Sequence, residues 1–195
     1  MSLSRYKQKK YKDNLRERFL MATPEEYCEG IMWYYNANKI CGVLGEKYMV
    51  DSKVVATVLS ILSPRNKWEQ NVKDTDRLLA AWRNAIHPED IRICTFHRNK
   101  IKAWRFLQGQ VEMAETSPKT YSFIKNVGDL DERYVTVDIW HHRAVKNRKI
   151  GSNVGITFKV YQQIANITKE LGKEFGLKGF EIQAIIWVVM KRTYD

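Results

Sequence analysis

Glycine and proline are scarce, at 10 and 4 in a chain of 195 residues. No Gly/Ser-rich or Pro-rich linker can be drawn, and no repeat or low-complexity tract is present. Cysteine is scarcer still, with only Cys28, Cys41 and Cys94. An odd count at wide spacing, without a C-x-x-C, excludes a disulfide framework and a zinc ribbon. It suits small apolar fillers in a reducing compartment. Of the four histidines, His87, His97, His141 and His142, only the last two adjoin. Neighbours on a helix point apart, so no histidine metal site is expected. The phosphate-binding, dinucleotide-binding and nucleophile-elbow motifs are also missing, and no cofactor is expected. The longest apolar run is Ala184 to Met190. That is far short of the roughly 20 residues that span a bilayer. No charged-then-apolar secretory segment opens the chain, so a cytoplasmic protein without a membrane partner is expected.

Acidic side chains are also in deficit. There are 22 Asp+Glu against 33 Lys+Arg, a net charge of +11. Such an excess favours a polyanion, most commonly nucleic acid, although a solubility bias gives the same composition. The 44% hydrophobic content excludes a disordered chain. A chain of this length buries about 70% of its unfolded surface and needs no staple.

The apolar pattern is helical almost throughout. Residues 1–20 carry seven basic and two acidic side chains and read as a frayed basic arm running into a helix, peripheral to the chemistry. Thr23-Pro24-Glu25-Glu26 combines a cap, a first-position proline and a capping box, opening a helix to about Leu44. Asp51 caps a helix that Ser63-Pro64 ends. Further helices are expected over 66–84, over 96–107 with Thr95 as cap, and over 118–126 after Ser117. A short one follows His87-Pro88. Arg133 to Val137 alternates weakly and reads as an extended connector. Asp138 caps a helix to about Val145, and others cover 157–175 and 180–191. Trp82 and Trp104 lie at helical spacing from apolar neighbours and are expected in the core. The expected class is all-α, with an arm at residues 1–22 and one compact domain at 23–195.

Two local signals carry the chemistry. Ser117-Pro118-Lys119-Thr120 places Lys119 in the first turn of a helix. Val135-Thr136-Val137-Asp138 places a carboxylate at the start of another, 19 positions later (138 − 119), with Arg143 beyond it. The positive end of a helix disfavours an ammonium, and desolvation would lower its pKa further toward a usable nucleophile. The same end holds a carboxylate ionised. An amine and a carboxylate in one pocket suit attack at a sugar carbon through a cationic transition state. Taken singly, each residue is ordinary: a solvated surface lysine and an N-cap aspartate.

This layout resembles the helix-hairpin-helix DNA glycosylase superfamily, the endonuclease III and 8-oxoguanine glycosylase group, over roughly residues 50 to 190. Lys119 matches the family's lysine, Val137-Asp138 its valine-aspartate step, and Arg143 its arginine. Val58-Leu59-Ser60-Ile61-Leu62-Ser63-Pro64-Arg65 resembles the family's early apolar helix. The residue that wedges into the DNA stack is then Arg65, or alternatively Asn66, and Asn71 falls where the family's next helix often carries an Asn. The glycine-bearing hairpin is replaced by Glu115-Thr116-Ser117-Pro118, so Thr116 and Ser117 would meet a phosphate. Trp140 and His141 stand where the family has a histidine after the aspartate. The iron–sulfur cysteines of many endonuclease III relatives are absent.

The resemblance implies a two-lobed all-helical fold with a cleft between the lobes and a monomer acting on double-stranded DNA. Lys119 and Asp138 would be catalytic. Arg65, Asn66, Thr116, Ser117, Trp140, His141 and Arg143 would bind nucleic acid, with basic segments at 65–67, 97–105 and 143–149 around the site. A glycosylase with lyase activity is the first expectation. A divergent enzyme of the same fold acting on modified pyrimidines during DNA hypermodification is the second. A non-catalytic DNA-binding module is the third.

Overall fold

The structure is a computed structural model and describes residues 2–149, 151 and 155–194. Every regular element among these residues is a helix. They are α1 (Arg5–Leu20), α2 (Pro24–Tyr48), α3 (Ser52–Leu62), α4 (Trp68–Arg83), a 3-10 turn (Pro88–Asp90), α5 (His97–Leu107), α6 (Pro118–Asp129), α7 (Ile139–Lys146), α8 (Phe158–Phe175) and α9 (Gly179–Tyr194). The chain divides into two compact units, Met1–Asn36 with Leu130–Asp195, and Ala37–Asp129. This all-helical architecture is the one expected from the periodicity.

The first unit holds α1, the start of α2, and α7 to α9. Its caps follow the sequence closely. The Thr23 N–H donates to Glu26 Oε2 at 2.9 Å, and the Glu26 N–H donates back to Thr23 Oγ1 at 3.3 Å, a reciprocal box. Thr157 caps α8, and Gly176 ends it in the left-handed region at φ 67°. Ile164, Leu171, Ile182, Ile185, Ile186 and Met190 form a fully buried interior between α8 and α9. The arm expected to be frayed is helical from Arg5 to Leu20. α1 is a capped helix whose Leu15 is 0% exposed and whose Phe19 packs on Phe175 at 4.5 Å between ring centroids. Two apolar positions on one face are enough to dock a helix that its charge made look frayed.

The second unit holds the end of α2 and α3 to α6. α3 is its axis, buried from Val55 to Leu62. Asp51 caps it, accepting from the Lys53 N–H at 2.7 Å. At its start, Lys53 Nζ lies 2.8 Å from Asp129 Oδ1, and Lys125 Nζ meets the other oxygen at 3.0 Å, closing the end of α6. Val58, Leu62, Leu78, Ala103 and Trp104 make the core. Thr95 does not cap α5. Its hydroxyl donates to the Leu62 carbonyl at 3.0 Å, and Phe96 takes the cap position without a side-chain bond. A tertiary acceptor at the end of α3 outcompetes the local turn.

One glycine sets a helix crossing. A Cβ on Gly30 of α2 would sit 2.4 Å from Ile185 Cα of α9. Backbone on both sides leaves nothing free to rotate away. Gly30→Ala should therefore destabilise the first unit by about 1–3 kcal/mol, the usual cost of overpacking. A thermal melt checks it, and an unchanged midpoint would contradict the crossing.

Candidate functional site

In the first unit, the segment leading to Asp138 is extended yet buried, with Val135, Thr136 and Val137 at 1%, 4% and 4% exposure. No strand partners it among the described residues, so its backbone needs other acceptors and donors. The Tyr161 hydroxyl on α8 supplies both. It donates to the Val135 carbonyl at 3.0 Å and accepts from the Val137 N–H at 3.0 Å. Tyr34 on α2 donates to Gln183 Oε1 on α9 at 2.7 Å. Burial pushes the Tyr34 phenol well up, a hydrogen bond with Thr136 works against that, and the Asp138 charge adds to the rise. Asp138 is thus delivered at the start of α7 by a rigid mount. Its Oδ1 accepts from the His141 N–H at 2.8 Å, where the helix end favours negative charge.

α7 then presents Trp140 with the Arg143 guanidinium 4.6 Å from its ring centroid. Both are half-buried. The expectation that His141 contacts nucleic acid is corrected: its side chain is 0% exposed. His141 Nε2 lies 2.8 Å from Thr168 Oγ1, and that hydroxyl donates to the Ile164 carbonyl at 3.0 Å. The ring nitrogen and the hydroxyl share one hydrogen bond inside the unit. The ring locks α7 to α8. It belongs to the mount of Asp138.

In the second unit, Lys119 is the second residue of α6 and is exposed, as are Thr116 and Ser117 before it. The Ser117 carbonyl accepts from the Tyr121 N–H at 2.9 Å, beginning the helix. The desolvation that would favour a nucleophilic amine is not seen at Lys119, which is exposed.

Arg65, the first of the two residues expected as a wedge, stands in an unusual backbone conformation. Its φ is 58°, in the left-handed region that costs a non-glycine residue. The turn is held there by Asp74, which is 0% exposed. Asp74 accepts from Asn66 Nδ2 at 2.9 Å, Gln70 Nε2 at 2.7 Å and the Cys94 N–H at 2.9 Å. Asn66 is therefore tied inward as a brace, and Arg65 is the exposed side chain of the pair. Asn71 is also internal, donating to the Leu59 carbonyl at 3.1 Å. Phe96 stands beside this turn at 41% exposure, with Arg65 5.9 Å and Arg98 5.5 Å from its ring centroid. Sequence reasoning missed Asp74, Phe96 and Arg98 as a group. The available signal was a carboxylate on the buried stripe of α4, beside Asn71, Thr75 and Leu78.

Trp82 and Trp104, expected in the core, line an open cavity of about 520 Å³ in the same unit. Trp104 is 8% exposed and does join the core, while Trp82 is half-buried. His87, Glu89 and Arg105 form part of the rim.

No group of three or more His, Cys, Asp or Glu that could hold a metal ion occurs among the described residues. Nor is any helix among them long and apolar enough to cross a membrane. Fold and sites define an all-helical protein of two units. A family model described as "Family of unknown function (DUF7178)" matches residues 2–194, and the chain belongs to that family. No curated protein and no solved structure matches it.

The two adjacent histidines make a pH prediction. Burial pushes His141 down to about 3, with His142 adding to the effect. Burial, with Lys146 and Arg148 adding, pushes His142 down to about 4. The unfolded chain binds protons on both rings below about pH 6.5, while the folded chain does so only near pH 4 and then pH 3. Stability present above pH 6.5 should fall as pH drops through this window, by about 1.4 kcal/mol per pH unit per histidine. Urea unfolding at pH 7 and pH 5 checks it. His141→Gln should flatten the slope, and equal stability at the two pH values would contradict the burial.

Proposed function

We propose that this protein is a DNA base-processing enzyme of the glycosylase type, acting as a monomer on double-stranded DNA in the cytoplasm. The observation that carries the reading is that Lys119 and Asp138 each stand at the opening of a helix, α6 in one unit and α7 in the other, in a basic all-helical chain. The mount beneath Asp138 supports it further. A catalytic carboxylate needs a fixed position; Tyr161 holds the segment before Asp138, and the His141 ring holds the helix after it.

In this reading the target base leaves the stack and enters a pocket. Lys119 Nζ attacks the sugar C1′, the N-glycosidic bond breaks, and the base departs with the bonding pair. Asp138 stabilises the positive charge that builds on the sugar. The amine loses a proton, and its lone pair breaks the C1′–O4′ bond as O4′ takes a proton. The opened sugar is held as a Schiff base. Loss of a proton from C2′ then expels the 3′ phosphate by β-elimination and cuts the strand. Arg65 fills the vacated space. A rigid left-handed turn braced by Asp74 suits a wedge, because a wedge must not fold back under load. Trp140 and Arg143 bind beside Asp138, and Thr116 and Ser117 lie beside Lys119.

Borohydride trapping on a panel of duplexes with damaged or modified bases tests the reading. A covalent adduct is expected with the native protein and none with Lys119→Ala. Asp138→Asn should slow its formation by about 10²-fold or more. Normal DNA binding with no adduct on any duplex would remove the lyase chemistry. Variants that change affinity alone would leave a DNA-binding module.

A further inference from the structure

α1 has two charged faces, and they are treated differently. Toward α8, Lys12 Nζ meets Glu174 Oε1 at 2.6 Å and Glu170 Oε2 at 3.6 Å, and Arg16 pairs with the same Glu174. Toward α7 there is no such neutralisation. α7 and the two residues after it, from Ile139 to Arg148, contain no acidic residue. The two helices are joined by Asn14 Nδ2 donating to the Val145 carbonyl at 2.7 Å and by Arg18 donating to Asn147 Oδ1. Positions 7, 14 and 18 fall on one stripe of a helix, so Lys7 extends the face that carries these contacts. Across from it, His142 and Lys146 are one turn apart on α7, and Asn147 in the left-handed region turns Arg148 back toward them.

Like charges have been gathered here. Burial lowers the Lys146 ammonium, and the charges of Arg148 and then Lys7 add to the fall. No ion pair engages Lys7, Lys146 or Arg148 among the described residues. His142 is 3% exposed, and its buried Nε2 has no hydrogen-bond partner. Favourable interaction with the C-terminal dipole of α7 accounts for cations on its last turn, but not for Lys7 on another helix. An unpartnered buried ring nitrogen among three unpaired cations is a site short of an anion.

We propose that Lys7, His142, Lys146 and Arg148 form a phosphate-binding site for the nucleic-acid backbone, on the first unit. It rests on the nucleic-acid partner of the function proposed above, but not on its chemistry. The site would hold the duplex by its backbone and carry no sequence information.

Titration of a short fluorescein-labelled DNA duplex, followed by anisotropy across a salt series, tests it. Lys146→Ala/Arg148→Ala should weaken binding at least tenfold and reduce the slope of log affinity against log salt by about one to two. Lys7→Ala should act in the same direction. The charge-matched Lys159→Ala/Lys173→Ala, on exposed positions of α8, should leave the slope within error of the parent. The α7 variants should also melt no lower than the parent without DNA, since they relieve repulsion, which separates lost affinity from lost folding. Equal losses in both pairs would overturn the site. So would binding to phosphatidylserine vesicles that depends on these residues while DNA binding does not. A parent protein that traps no adduct on any duplex, while Lys146→Ala/Arg148→Ala still lowers affinity and salt slope, would remove the glycosylase chemistry and leave this site, so the two proposals fail separately.

Discussion

The Tyr161 hydroxyl satisfies two backbone groups in a segment that is buried, extended and without a sheet to join. An all-helical protein has few ways to carry a non-helical strand of chain through its interior. Here one phenol closes the account for Val135 and Val137, and the segment can then enter α7 at a set angle. The position of Asp138 depends on this. The carboxylate sits at the helix opening because the three residues before it cannot move, and His141 pins the helix after it. The second unit solves a related problem with Asp74, whose three donors hold a turn that would otherwise relax out of the left-handed region at Arg65.

Charge is distributed with similar discrimination. The pairs between α1 and α8 are partly exposed and contribute little individually, yet they neutralise one face of a helix that is cationic overall. The opposite face is left positive against an α7 that has no carboxylate. Self-repulsion of this kind costs stability. A fold tolerates it where core burial, here Leu15 and Phe19, exceeds it, and where an outside anion can remove it.

Much of the helical scaffold was legible because its signals are local. The Thr23 box, the Asp51 and Asp138 caps and the Thr157 start all act within four residues of themselves, and each appears as expected. The errors have a common cause, competition from a distant partner. Thr95 prefers a carbonyl of α3 to its own helix. α1 looked frayed by charge count but is docked by two apolar side chains. His141 was itself an expected site residue, and its ring is instead buried against Thr168, 27 residues away. Asn66 was the alternative to Arg65, and its amide is held by Asp74, eight residues away.

The sequence by itself determined the class, the helix order, the positions of Lys119 and Asp138 at helix openings, and the basic excess. Those follow from periodicity, capping chemistry and composition, which need no partner far along the chain. Only the tertiary structure decided which polar side chains are spent internally and which remain outside. Burial and hydrogen-bond partnership are properties of pairs distant in sequence, so the same His, Asn or Lys reads identically in the chain whether it braces a core or meets a ligand.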